Sequence, residues 1–200
     1  MCPKVSAQYK IEVKGKIVES ALIAFSKHGY DKTRMDDIAE AAKVSKGTLY
    51  LYFKSKEELF YAISETNILR LKEQLSTLMA IRKEELVSNA EKFYENFHNE
   101  TGQDFDKVFF EIIAESSRNP KLKRMLYDHR LRIIDIVTEY LNLQVEKDLF
   151  AKGVDIKAIS AGLVSLFNGL SISKVSGMSE SSNKQAWKET IRAIFKGMSY

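Results

Sequence analysis

Apolar residues recur every three to four positions along almost the whole chain, and that spacing predicts helices throughout. Between Val13 and Phe25, the residues Ile17, Val18, Ala21, Leu22, Ala24 and Phe25 mark the inner face of a first helix. The cation and glycine of His28-Gly29 close it. Thr33, three residues ahead of Asp36, suggests a capped start for a second helix that runs to about Ala42 and buries Ile38, Ala39 and Ala42. Ser45 reads as the N-cap of a short third helix whose Leu49 and Phe53 face inward. Ser55 and Glu58 repeat the device before a longer fourth helix carrying Leu59, Ile63 and Leu71. Beyond it the pattern predicts one helix over about 84–98, a stop at the TGQD segment, and another helix through Phe105, Phe109, Phe110, Ile112 and Ile113. Asn119 as cap and Pro120 in the first turn restart the chain into a long helix towards Phe150. Asp155 caps a helix from about 156 to 175, and a GMSESSN loop leads to a last helix over about 184–196. The expectation is an all-α chain of about nine helices, with three in a head, one bridging and five in a body.

Composition narrows this further. Nine Gly and two Pro in 200 residues leave too little turn punctuation for a β-sandwich or barrel. The 44% apolar and 29% charged content suits a chain that buries a core rather than one that stays disordered. Cys2 is the single cysteine, which excludes an internal disulfide and a Cys-rich zinc site and fits a reducing interior. The longest charge-free stretch, 158–173, is interrupted by Ser, Gly and Asn and falls short of the ~20 mainly apolar residues of a spanning helix. The opening MCPKVSAQYKIEVKGK has no signal-peptide centre. A cytoplasmic location and no membrane partner are the expectation.

Charge is uneven along the chain. Residues 1–56 carry eleven Lys and Arg against six acidic residues, whereas the remaining 144 carry twenty against twenty-one. A basic end on a neutral body is the footprint of a polyanion-binding segment, although a solvated basic face gives the same balance. The division expected is a polyanion-binding head over 1–56 and a second domain over 57–200.

Two short helices joined by AAKVSKGT, the second exposing Lys46, Thr48, Tyr50 and Tyr52, have the geometry of a helix-turn-helix reader. Gly47 lets backbone approach a phosphate or base edge, and the tyrosine hydroxyls and Lys56 are placed to hold phosphates. Residues 17–59, with the GY turn, the IA of the second helix, VSKGTLYLYF and SKEEL, closely resemble the DNA-binding head of the TetR family of transcriptional repressors. The resemblance implies that Lys46, Gly47 and Thr48 approach bases, that Tyr50, Tyr52 and Lys56 bind backbone, and that Thr33 or Arg34 touches phosphate. It also implies a partner in double-stranded DNA. Lys43 departs from the pattern, since relatives usually have glycine there, and a left-handed backbone would strain lysine mildly.

Ala161, Ser165 and Gly169 lie four apart, a small-residue stripe flanked by Leu166, Leu170 and Ile172 that admits a second helix. With Ala186, Trp187, Ile194 and Phe195 of the last helix, it offers material for a homodimer's four-helix bundle, where family members pair; internal packing is the alternative. The resemblance further implies a small-molecule effector in the body. Phe93, Phe97, Phe105, Phe109, Phe110, Tyr127 and Tyr140 are candidate lining residues, although most fit plain core equally well. The basic run with Lys123, Arg124, Arg130 and Arg132 would suit an amphipathic, acyl-coenzyme-A-like ligand.

Catalysis has little foothold. His28, His98 and His129 are isolated, and no P-loop, GxSxG or GxGxxG occurs. Glu95 and His98 match one Glu-x-x-His pair of a di-iron bundle, which needs two pairs and two more carboxylates. Asp128 and His129 point to different sides of a helix. No enzyme, metal or cofactor is expected. The rival readings are a helical metal-carboxylate protein and a module using the basic head on anionic membranes.

Overall fold

The computed structural model describes residues 6–79 and 82–198, with backbone alone for 98–103. Cys2 and the basic Lys4 fall outside the described residues. Among these residues every regular element is helical: α1 Ala7–His28, α2 Met35–Ala41, α3 Lys46–Tyr52, α4 Lys56–Thr77, α5 Lys83–Ser116, α6 Pro120–Glu146, α7 Ile156–Val175 and α8 Glu180–Gly197.

Several starts follow the local chemistry of the sequence. The Ser45 hydroxyl accepts from Thr48 N at 3.1 Å and opens α3. Asn119 Oδ1 accepts from Lys121 N at 3.0 Å and Leu122 N at 3.2 Å, with Pro120 in the first turn of α6. Asp155 accepts from Ala158 N at 3.0 Å to open α7. Three expectations are corrected. The cap of α2 is Arg34 rather than Thr33, its backbone N–H donating to Asp37 Oδ2 at 2.9 Å. The two segments expected over 84–98 and from Phe105 onward are the single helix α5, running through Gly102. Buried Tyr94, Phe105, Val108 and Ile112 keep one unbroken period across the expected break. A lone glycine costs a helix only about 1 kcal/mol, too little to stop it. The last helix also begins four residues early, because Ser179 caps it through Ser182 N at 3.2 Å.

The chain packs as two compact units. One comprises the described residues of Met1–Asn67 with Lys107–Met125, and the other Ile68–Asp106 with the described residues of Leu126–Tyr200. The first therefore extends beyond residue 56. Its core holds Val13, Ile17, Ala21, Phe25, Ile38, Leu49, Leu59, Val108, Ile112 and Leu122. Glu111 on α5 accepts from Tyr30 N at 2.5 Å, so this helix fixes the turn that leaves α1.

The second unit is built on Tyr94, Leu141, Phe150, Leu163, Leu170, Trp187, Ile191 and Phe195. Trp187 Nε1 donates to Ala90 O at 2.7 Å and the buried Asn183 donates to Leu170 O at 3.1 Å, which satisfies the polar groups that α8 buries. Contrary to the charge-free count, α7 is by length and composition long and apolar enough to cross a bilayer, since such a span tolerates the flanking Lys157 and Lys174. Here Ile156, Leu163, Val164 and Leu170 lie buried in the unit.

Candidate nucleic-acid interface

The α2–α3 turn is held by a Schellman pattern. Val44 N donates to Ala39 O and Lys43 N to Glu40 O, both at 3.0 Å. The residue that must turn left-handed is Lys43, with φ 55°, so lysine occupies the position that favours glycine and the turn forms nonetheless.

Leu49 and Phe53 are buried and fix the inner side of α3. At 100° per residue, the direction opposite Leu49 falls between Gly47 and Leu51, with Thr48 and Tyr50 to either side; Lys46 and Tyr52 fall nearer the Leu49 side, and Lys46 is open because it is the first residue of the helix. Exposure agrees: Lys46 and Gly47 are open, Tyr50 is 41% exposed, and Thr48 and Tyr52 are half-buried. Leu51, 74% exposed, is the apolar side chain at the outer pole. It was not among the residues singled out from sequence, though the same wheel would have found it. Gly47 is not demanded by the fold, because a Cβ there would lie 3.8 Å from Ser45 Oγ, an ordinary contact.

Three other candidates are placed differently. Thr33 is 2% exposed, and its hydroxyl donates to Gly29 O at 2.7 Å and Ala24 O at 3.3 Å, so it braces the end of α1 and reaches no surface. Arg34 is exposed at the start of α2. The Lys56 ammonium donates to Tyr30 O at 2.7 Å and Asp31 O at 2.8 Å and lies 4.8 Å from the Tyr30 ring centre, a bound cation rather than a free one. Lys46 is paired too, 2.5 Å from Asp36 Oδ2.

In the second unit, Gly169, Ser165 and Ile172 are exposed and Ala161 and Leu166 half-buried along one side of α7. The Arg130 guanidinium donates to Ser165 Oγ at 2.7 Å. Trp187 and Phe195, expected at a dimer interface, belong to the chain's own core, and Ile194 packs against that core. Periodicity reports that a face is apolar and not which chain covers it.

The expected pocket residues fall in both units, Phe109 and Phe110 in the first and the others in the second. Phe93 and Phe97 stack at 5.4 Å and meet Phe167 at 5.9 and 5.3 Å. Phe105 is buried, Tyr127 is 62% exposed, and Phe109 lies in the first unit beside Phe110. Tyr140 donates to Leu78 O at 2.9 Å, and burial pushes its hydroxyl pKa up to about 12. The described residues hold no group of three or more His, Cys, Asp or Glu able to bind a metal, and the His98 side chain lies outside them.

Residues 17–63, the segment that builds this interface, match the family described as "Bacterial regulatory proteins, tetR family". The match shows a TetR-type DNA-binding head over residues 17–63. It is 40% identical over 68 residues to the uncharacterized HTH-type transcriptional regulator YfiR of Bacillus subtilis, a match covering 34% of this chain and 33% of that protein. It is 38% identical over 50 residues to the probable acrEF/envCD operon repressor of Escherichia coli K12, covering 25% and 23%. The matches thus span a third or less of these curated relatives. A TetR-family transcriptional regulator from Syntrophomonas wolfei shares the fold over 94% of this chain and 97% of its own, with a TM-score of 0.80 and 16% identity.

Proposed function

We propose that this chain is a TetR-family transcriptional repressor that binds palindromic operator DNA as a homodimer and releases it when a small molecule occupies the body. The observation that carries the reading is the two-sidedness of α3: Leu49 and Phe53 anchor it while Lys46, Gly47, Tyr50 and Leu51 stand open. A seven-residue helix held from one side by two apolar anchors is what a major groove admits. Within residues 1–56, Lys46, Gly47, Thr48 and Leu51 would face base edges. Arg34, Tyr50, Tyr52 and, once freed from its carbonyl partners, Lys56 would hold backbone.

Pairing would use the exposed side of α7, placing two copies of α3 about one DNA turn, ~34–36 Å, apart. The effector would be apolar or amphipathic, its apolar part meeting the half-buried Phe93 and Phe97, with an acyl-coenzyme-A-like anion near the exposed Arg130 as one case. It can act only by binding the DNA-incompetent dimer more tightly than the competent one. The membrane alternative is disfavoured because the apolar face of α1, with Val13, Ile17, Ala21 and Phe25, is spent on the head's core.

Duplex binding followed by fluorescence anisotropy over a salt series tests the reading. Log affinity should fall linearly with log salt, by about 0.9 for each phosphate neutralised. A flat response, or equal binding to anionic vesicles, would remove it.

A further inference from the structure

Lys46 is the first residue of α3, where a cation faces the positive end of the helix dipole and gains nothing from its own helix. Its stabilising partner comes from α2. Asp36 Oδ2 lies 2.5 Å from the Lys46 ammonium and 3.9 Å from an Arg34 guanidinium nitrogen. The carboxylate thus stands between two cations of the proposed DNA face, about one-third exposed.

We infer that Asp36 is a positioning residue that confines Lys46 to reading bases. This rests on the reading of α3 given above and adds a residue to it. Two physical effects act in the same direction. A lysine ammonium carries three donors, so one given to Asp36 leaves two for a guanine O6 and N7. The pairing also fixes a side chain that would otherwise sample many rotamers and settle on whichever phosphate is nearest. The carboxylate, meanwhile, brings a negative charge to the duplex surface, which weakens every sequence-independent contact there. Asp36 therefore lowers binding to arbitrary DNA and spares the one site where Lys46 finds its base.

The test is a double-mutant cycle on the full chain, read on two duplexes. One is enriched by the unaltered protein from a random-sequence pool, and the other has the same composition scrambled. Asp36→Asn should tighten the scrambled duplex, steepen its salt slope by about 0.9, and cut the ratio of the two affinities at least about fivefold, the low end of what one lysine–guanine contact discriminates. Asp36→Glu, which keeps the charge, should restore most of the ratio. With Lys46→Met already present, Asp36→Asn should leave the ratio unchanged.

The inference is overturned if Asp36→Asn leaves ratio and slope as they were, if it acts equally on the Lys46→Met background, or if it weakens both duplexes together with a loss of helical circular dichroism. The last result would make Asp36 a strut between α2 and α3. If the folded, unaltered chain enriches no sequence, the reading of α3 itself falls and takes this inference with it. Enrichment with an unresponsive Asp36 removes the inference alone.

Discussion

Lys43 pays a conformational cost at φ 55° that nothing in its side chain offsets, and the Schellman bonds around it show that the turn demands this backbone whatever residue stands there. A left-handed L-residue costs roughly 1–2 kcal/mol, partly recovered because glycine is the more flexible residue in the unfolded chain. Lys43→Gly should therefore raise the unfolding free energy by about 0.5–1 kcal/mol, measured by urea titration; a loss of stability would mean the lysine side chain makes a compensating contact. Thr33 shows the opposite relation between sequence and place. Its type and spacing read as a cap, but its hydroxyl is taken by Gly29 O and Ala24 O, and only the path of α1 determines that. Leu51 is legible once buried Leu49 defines the inner side, since it lies about 200° round the helix from it.

Among the elements, α5 is the one the sequence misstates. The TGQD segment looks like a boundary locally, and it yields because buried Tyr94 and Phe105 on either side stay in phase. Starts were more readable than stops. Ser45, Asn119 and Asp155 each satisfy amides two or three residues away, so their partners are visible in the string. Glu111, which caps the exit of α1 from 81 residues away, leaves no such trace.

The same helix holds a titrating group. Burial raises Asp106 from 3.8 to about 6, against the pull of Lys174 and a hydrogen bond from Ser171. Because the folded value exceeds the ordinary one, the native state binds this proton more tightly than the unfolded chain does. Stability should then fall as pH rises from about 4 to about 6. Asp106→Asn keeps the hydrogen bond and should flatten that fall. At pH 7.5 it should gain about 1–2 kcal/mol, reduced because the carboxyl is only partly buried. Thermal midpoints at both pH values check this, and an unchanged pH profile would contradict it. On α7, a Cβ at Gly169 would meet nothing within 4 Å, so a larger residue there probes the proposed pairing with little cost to the fold. Gly169→Leu should convert dimers to monomers in sedimentation with its melting profile otherwise intact; persistent dimers would take α7 out of the interface.

At the scale of the molecule, the eleven basic residues of the first 56 and the anchored α3 belong to one argument, since each would be idle without the other. The helix-turn-helix was visible in the sequence because it is local, held by residues within a few turns. A ligand site in the body was not legible, because Phe93, Phe105, Phe109, Tyr127 and Tyr140 keep a helical spacing whether they end in core, in solvent or in separate units. Trp187 and Phe195 make the same point for pairing, as apolar faces that the chain covers by itself.

The central claim is that α3 enters the groove with Lys46 towards the bases and Tyr50 towards the backbone. The most direct measurement is the preferred duplex of each variant, selected from a random pool and compared with that of the unaltered protein. Lys46→Ala should change the base favoured at one position of each half-site, whereas Tyr50→Phe should keep the preferred sequence and bind it more weakly. Recovery of an unchanged preferred sequence by Lys46→Ala would contradict the account.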